Sequence, residues 1–131
     1  MKRISLLLLL AALGISLAAC AGGAGAPAGA GGYGSPAPDT TFPLPTSVSN
    51  FTATGDDAIN FQTKMSLEDT LAFYRAAFAK AGLIERTINT AITETTFSIV
   101  FDGDASGMAI VVQGVDLGVG STNVNIRYED V

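Results

Sequence analysis

One stretch of this chain, "SLEDTLAFYRAAFAKAGL" (66–83), has helical apolar spacing, while the segments around it alternate with a period of two. Leu67, Leu71, Tyr74, Phe78 and Ala81 recur at intervals of four and three, which makes one continuous stripe. Ser66 stands as N-cap with Asp69 three residues on to complete a capping box, and Glu68 lies near the positive end of the helix dipole. Gly82 supplies a left-handed stop, after which Leu83 packs back on the last turn. A lone helix must bury its stripe on something, and here the only partner is a sheet.

The flanking segments supply that sheet. Residues 48–54 and 58–65 read as a hairpin turning at Gly55-Asp56-Asp57, with Ile59, Phe61 and Met65 on one side. After the helix, residues 83–90, 94–101, 107–115 and 122–130 read as four more strands, three of them with clear alternation. The expectation is an α+β domain over 46–131, in two layers: an antiparallel sheet with one helix packed on one face, in the order ββαββββ. A domain of this size holds one core. The other sheet face should be wet, and Asn123, Asn125, Arg127 and Glu129 fit that. Val100, Ala109 and Val111 fall on the same side and would form a small apolar patch on the middle strands. This is either incidental exposure, a patch covered by the tether, or a surface for self-association or for a protein partner in the cell envelope.

The N-terminus has another logic. Met1-Lys2-Arg3 is a short basic start, Ile4 to Leu17 is apolar, and Ala18-Ala19 are small, the order of an export signal over 1–19. A spanning helix needs roughly 20 apolar residues, more than this run supplies. Leu17-Ala18-Ala19-Cys20 resembles the lipobox of bacterial lipoproteins. That resemblance implies a diacylglyceryl thioether on Cys20, cleavage before it, and a chain held to a membrane on its extracytoplasmic side. Ala21 in place of aspartate implies the outer membrane of a two-membrane cell, or the outer face of the plasma membrane otherwise. Cys20 is the only cysteine, so it has no internal disulfide partner. Two acyl chains, at about 0.8 kcal/mol per buried methylene, anchor stably where one does not. Residues 20–45 are dominated by Gly, Ala and Pro and read as a lipidated cysteine followed by a disordered tether. The segment "SLEDTLAFYRAAFAKAGL" itself looks like one found in exported bacterial domains that carry no known activity.

Charge narrows the function classes. Without residues 1–19 the chain keeps 5 basic side chains against 12 acidic ones, so attraction to nucleic acid or anionic lipid by charge is excluded. There is no histidine, which removes imidazole metal sites and the Ser-His-Asp triad. "DGDASG" places Asp102, Asp104, Ser106 and Gly107 as in the first half of an EF-hand-like calcium loop. Its twelfth position is Gln113 rather than glutamate, and the same residues also suit a plain turn. Asp56-Asp57 reads as a solvated turn, Ser66 as a cap rather than a nucleophile beside Lys64, and Asn50-Phe51-Thr52 as an incidental glycosylation sequon. The resulting expectation is a lipid-anchored binding or envelope-interaction module. No residue is assigned a catalytic role; the alternatives are a domain stabilised by calcium at the Asp102–Ser106 loop, through Asp102, Asp104 and Ser106, and third an enzyme of unknown type.

Overall fold

The computed structural model describes residues 38–130. Strands β1 (Ser49–Thr54) and β2 (Ala58–Thr63) form a hairpin, and α1 (Leu67–Lys80) follows. Then come β3 (Ile84–Glu85), a 3-10 turn (Thr87–Asn89), β4 (Ala91–Ile92), β5 (Thr96–Asp102), β6 (Ala109–Asp116) and β7 (Thr122–Glu129). They build a 7-stranded antiparallel sheet in the order β1-β2-β7-β6-β5-β3, with β4 also paired to β5. The α+β class is thus as expected, but the strand order ββαββββ is corrected. Residues 83–90 do not form one strand. The ladder beside β5 carries one step past β3, with Arg86 N–H donating to Val100 O at 2.7 Å. It then breaks into the 3-10 turn, where Asn89 N–H donates to Arg86 O. The break is held from the helix side. Arg75 on α1 grips the Glu85 carboxylate with two hydrogen bonds of 2.8 and 2.9 Å, and Thr90 Oγ1 donates to it at 2.7 Å.

The helix begins and ends as its sequence dictates. Ser66 Oγ accepts the Asp69 N–H at 3.1 Å and donates to the Asp69 carboxylate at 2.8 Å. At the other end Gly82, at φ +86°, donates to Ala79 O and Leu83 to Phe78 O, the paired bonds of a Schellman motif. Tyr74 and Phe78 are buried, Leu67 and Leu71 pack partly against the core, and Ala81 is exposed. Buried Thr70 occupies the same face, made tolerable by its Oγ1 donating to Ser66 O at 2.7 Å.

One helix is too narrow for this sheet. A helix is about 10 Å across, whereas six strands abreast span about 24 Å at ~4.8 Å each. Accordingly α1 lies over β3, β5 and β6, and β2 and β7 need another cover. It comes from the segment just before β1. Phe42 is buried, with its ring 5.0 Å from that of Tyr128, while Leu44 and Val48 pack against the same core. The buried Tyr74 hydroxyl donates to Pro43 O at 3.2 Å, joining helix and segment. Ser47 Oγ pairs with Thr63 Oγ1 at 2.8 Å and accepts the Lys64 N–H, which fixes the far end. The final part of the stretch read as tether is therefore a strap in the fold. The physical reason is the apolar pair Phe42 and Leu44, outweighed in the sequence by the prolines around it.

Within the sheet, β6 keeps a glycine where β5 needs room. A Cβ on Gly114 would stand 2.2 Å from the Phe97 ring, its cross-strand partner. At the open edge, β1 carries a bulge between Ser49 and Thr52, with Asn50 at φ +50°, which blunts edge-to-edge pairing.

Two stability measurements follow from this packing. Phe42→Ala should cost about 3 kcal/mol, as for other buried phenylalanines, and Tyr74→Phe about 1 kcal/mol for one hydrogen bond, both read by denaturant unfolding. Gly114→Ala should lower the thermal midpoint by several degrees, and pairing it with Phe97→Leu should recover part of the loss, since the clash is with the ring.

Candidate functional site

The registers define two ends of the sheet. Ala58 of β2 faces Arg127 of β7 and Thr63 faces Thr122. One end therefore carries the β1–β2 turn, the β5–β6 loop and the start of the strap, whose Asp39, Thr40 and Thr41 line a small cavity with Gly55 and Asp56. The other end carries the N-terminus of α1, the β4–β5 turn and the β6–β7 turn. Between these three elements lies an open groove of about 520 Å³.

Its walls come from separate parts of the chain. Leu67, Glu68 and Leu71 project from the first turns of α1, Ile92, Thr93 and Glu94 from β4 and its turn, and Phe97 and Asp116 from β5 and β6. Local bonds hold each wall. Thr93 Oγ1 accepts the Thr96 N–H at 3.0 Å, Asp116 Oδ1 accepts the Gly118 N–H at 2.9 Å, and Asp116 N–H donates to Thr95 O at 2.8 Å, tying the two turns together. Ile92 is 51% exposed in this groove. Its position depends on the Glu85 clamp, which sets where the chain re-enters the sheet after the 3-10 turn. Leu117 and Val119, 41% and 80% exposed, follow Asp116 on the β6–β7 turn. The groove combines apolar walls with an acidic rim.

The sequence candidates lie elsewhere. Both oxygens of Asp102 are taken by Arg86, through Nε at 2.9 Å and through Nη2. Asp104 Oδ2 accepts the Ser106 N–H at 2.8 Å, its carbonyl accepts the Gly107 N–H at 3.0 Å, and Ser106 Oγ accepts the Met108 N–H at 3.2 Å. These bonds hold both carboxyls below their ordinary range, Asp102 through Arg86 and Asp104 through the Ser106 hydrogen bonds. The pair is also divided between faces. Asp102 shares the outer face with Val100 by alternation, while Asp104 lines a cavity with Phe42, Ala81 and Tyr128 on the helix side. Among the described residues no cluster of three or more His, Cys, Asp or Glu side chains is arranged to hold a metal ion.

The apolar patch is corrected. Val100, Ala109 and Val111 are only 8%, 3% and 3% exposed. Val100 faces Val111 across β5 and β6, Val111 faces Arg127, and Arg86 lies beside Val100 on the far side. Both arginines are tied down on this face, Arg86 to Asp102 and Arg127 to Glu129, Gln113 and Asn125, so their aliphatic stems flank the valines. No open apolar face is left there. The cover was not legible because it depends on which strands are neighbours.

Cys20 and the lipobox lie outside the described residues. No helix among the described residues is long and apolar enough to cross a membrane. Asp56 and Asp57 sit in an exposed turn, Lys64 is exposed, and Ser66 caps the helix. Sequence reasoning missed Ile92, Glu94 and Asp116, because only the sheet order brings them beside Leu67. No protein-family profile, curated protein or solved structure matches this chain.

The clamp behind the groove makes a pH prediction. The hydrogen bond from Arg75, aided by Thr90, holds the Glu85 carboxyl below its ordinary 4.5. A depressed carboxyl contributes stability above the unfolded value and loses it as pH falls through the folded one. The thermal midpoint should therefore fall as pH drops below about 4.5, and Glu85→Gln should lower it at neutral pH while flattening that slope.

Proposed function

We propose that this chain is a lipid-anchored lipoprotein of the bacterial envelope and that its domain is a binding module whose ligand end is the groove between α1, β4 and β6. One observation carries the reading: the groove lies at the opposite end of the sheet from the start of the strap, through which the chain arrives from Cys20. The start of the strap therefore lies away from the mouth of the groove. A cavity of about 520 Å³ with mixed apolar and polar walls falls within the usual size of small-ligand sites. The lipobox residues Leu17-Ala18-Ala19-Cys20 support the anchor, and two acyl chains suffice for stable attachment. The absence of histidine from the chain is consistent with binding rather than acid-base catalysis.

Two measurements test the two halves of the reading. Cys20→Ser should abolish incorporation of a labelled palmitate analogue and move the chain out of the lipidated membrane fraction; unchanged labelling would overturn the anchor. A photoreactive side chain at Ile92, in intact cells, should give a discrete adduct that the same group at exposed Ala53 on β1 does not. Identical labelling from both positions would overturn the groove as the ligand end.

A further inference from the structure

We propose that the groove takes a small organic cation with an apolar body, of the arylalkylammonium class; this rests on the binding-module reading above. The apolar part would lie on Leu67, Leu71 and Ile92, above the buried Phe97. Among the described residues, every charged side chain lining the groove is a carboxylate, Glu68, Glu94 or Asp116, and no lysine or arginine lines it.

The cation is the one occupant for which both wall and rim are favourable. An anion meets three carboxylates. A neutral apolar molecule gains burial but draws no attraction from the rim charges. The helix N-terminus does not reverse this, because Ser66 already accepts the Asp69 N–H and the first turn holds Glu68 and Asp69 against the dipole. Nor does the protein supply the cation itself. Arg75, Arg86 and Arg127 are paired with Glu85, Asp102 and Glu129, and none of these residues lines the groove. A bare metal ion is disfavoured by spacing, since the three carboxylates do not form a metal-holding cluster. A second copy is disfavoured by charge, because an acidic domain offers this groove no basic counterpart beyond Lys64 and Lys80. Exposed Leu117 and Val119 follow Asp116 on the β6–β7 turn.

The test uses the lipidated full-length chain in phosphatidylcholine nanodiscs, with isoleucine methyl groups labelled for NMR and empty discs as background. Three probes share one body: phenethylammonium, phenethyl alcohol and phenylpropionate. The ammonium should shift the Ile92 methyl saturably and leave that of buried Ile126 in place. The alcohol should need several-fold higher concentration, and the carboxylate should give no shift. Glu94→Gln should weaken ammonium binding about threefold, and 1 M salt should weaken it in the parent protein. Equal titration by the ammonium and the alcohol would overturn the proposal, as would an ammonium that leaves Ile92 unmoved. If the ammonium fails while the photoreactive group at Ile92 still forms its discrete adduct, the cation is wrong and the module stands; if both fail, both readings fall.

Discussion

The structure depends on covering one face of a broad sheet with too little helix. A single helix spans less than half of six adjacent strands, so the remainder of the inner face needs a second cover or it stays wet. Tyr74 is where the two covers meet. Its ring lies buried between Phe73 and Phe78 on the helix, and its hydroxyl donates to Pro43 of the strap. Burial pushes that phenol far above its ordinary value, so it stays a neutral donor across the working pH range. Helix, strap and sheet thereby share one core, in which Phe42, Phe78, Phe101 and Tyr128 all take part.

The same arrangement creates the groove. The helix lies over β3, β5 and β6, and its N-terminal turns stand against β4, a strand of only two residues. Short β4 cannot extend the sheet, and so the space between Leu71 and Ile92 stays open. The Arg75–Glu85–Thr90 clamp decides where β4 begins, and thus how far Ile92 projects. In this domain the irregular edge shapes the site, while the regular strands β2, β7, β6 and β5 act as its frame.

On the outer face the chain solves a different problem with a different device. Val100, Ala109 and Val111 sit where solvent would reach them, and no second layer of described residues is packed there. Two arginines, each anchored by a carboxylate on the same face, lay their stems alongside. Because surface ion pairs of this type contribute little by themselves, their structural effect lies in where they hold those stems. The arrangement also consumes Asp102, one of the two carboxylates that gave the β5–β6 loop its resemblance to a calcium site.

How much of this was legible in the chain differs from one element to the next, for a consistent reason. The helix from Ser66 to Gly82 could be read with both caps, because capping and the Schellman turn involve residues within a few positions of one another. The alternation of Phe97, Ile99 and Phe101, and of Val124 and Ile126, likewise placed the inner face, since period two is a local property of the extended chain. The strap was hidden by its composition, because Phe42 and Leu44 sit among prolines and only a vacant stretch of sheet gives them somewhere to go. The break at 86–90, the shelter over Val111 and the gathering of Leu67, Ile92 and Asp116 depend on neighbours 10 or more residues away. The sequence by itself determined the class of fold and the helix, both of which rest on short-range periodicity and local hydrogen bonding. Strand order, the strap and the groove were decided only by the tertiary structure, because a strand carries no local record of which strand will lie beside it.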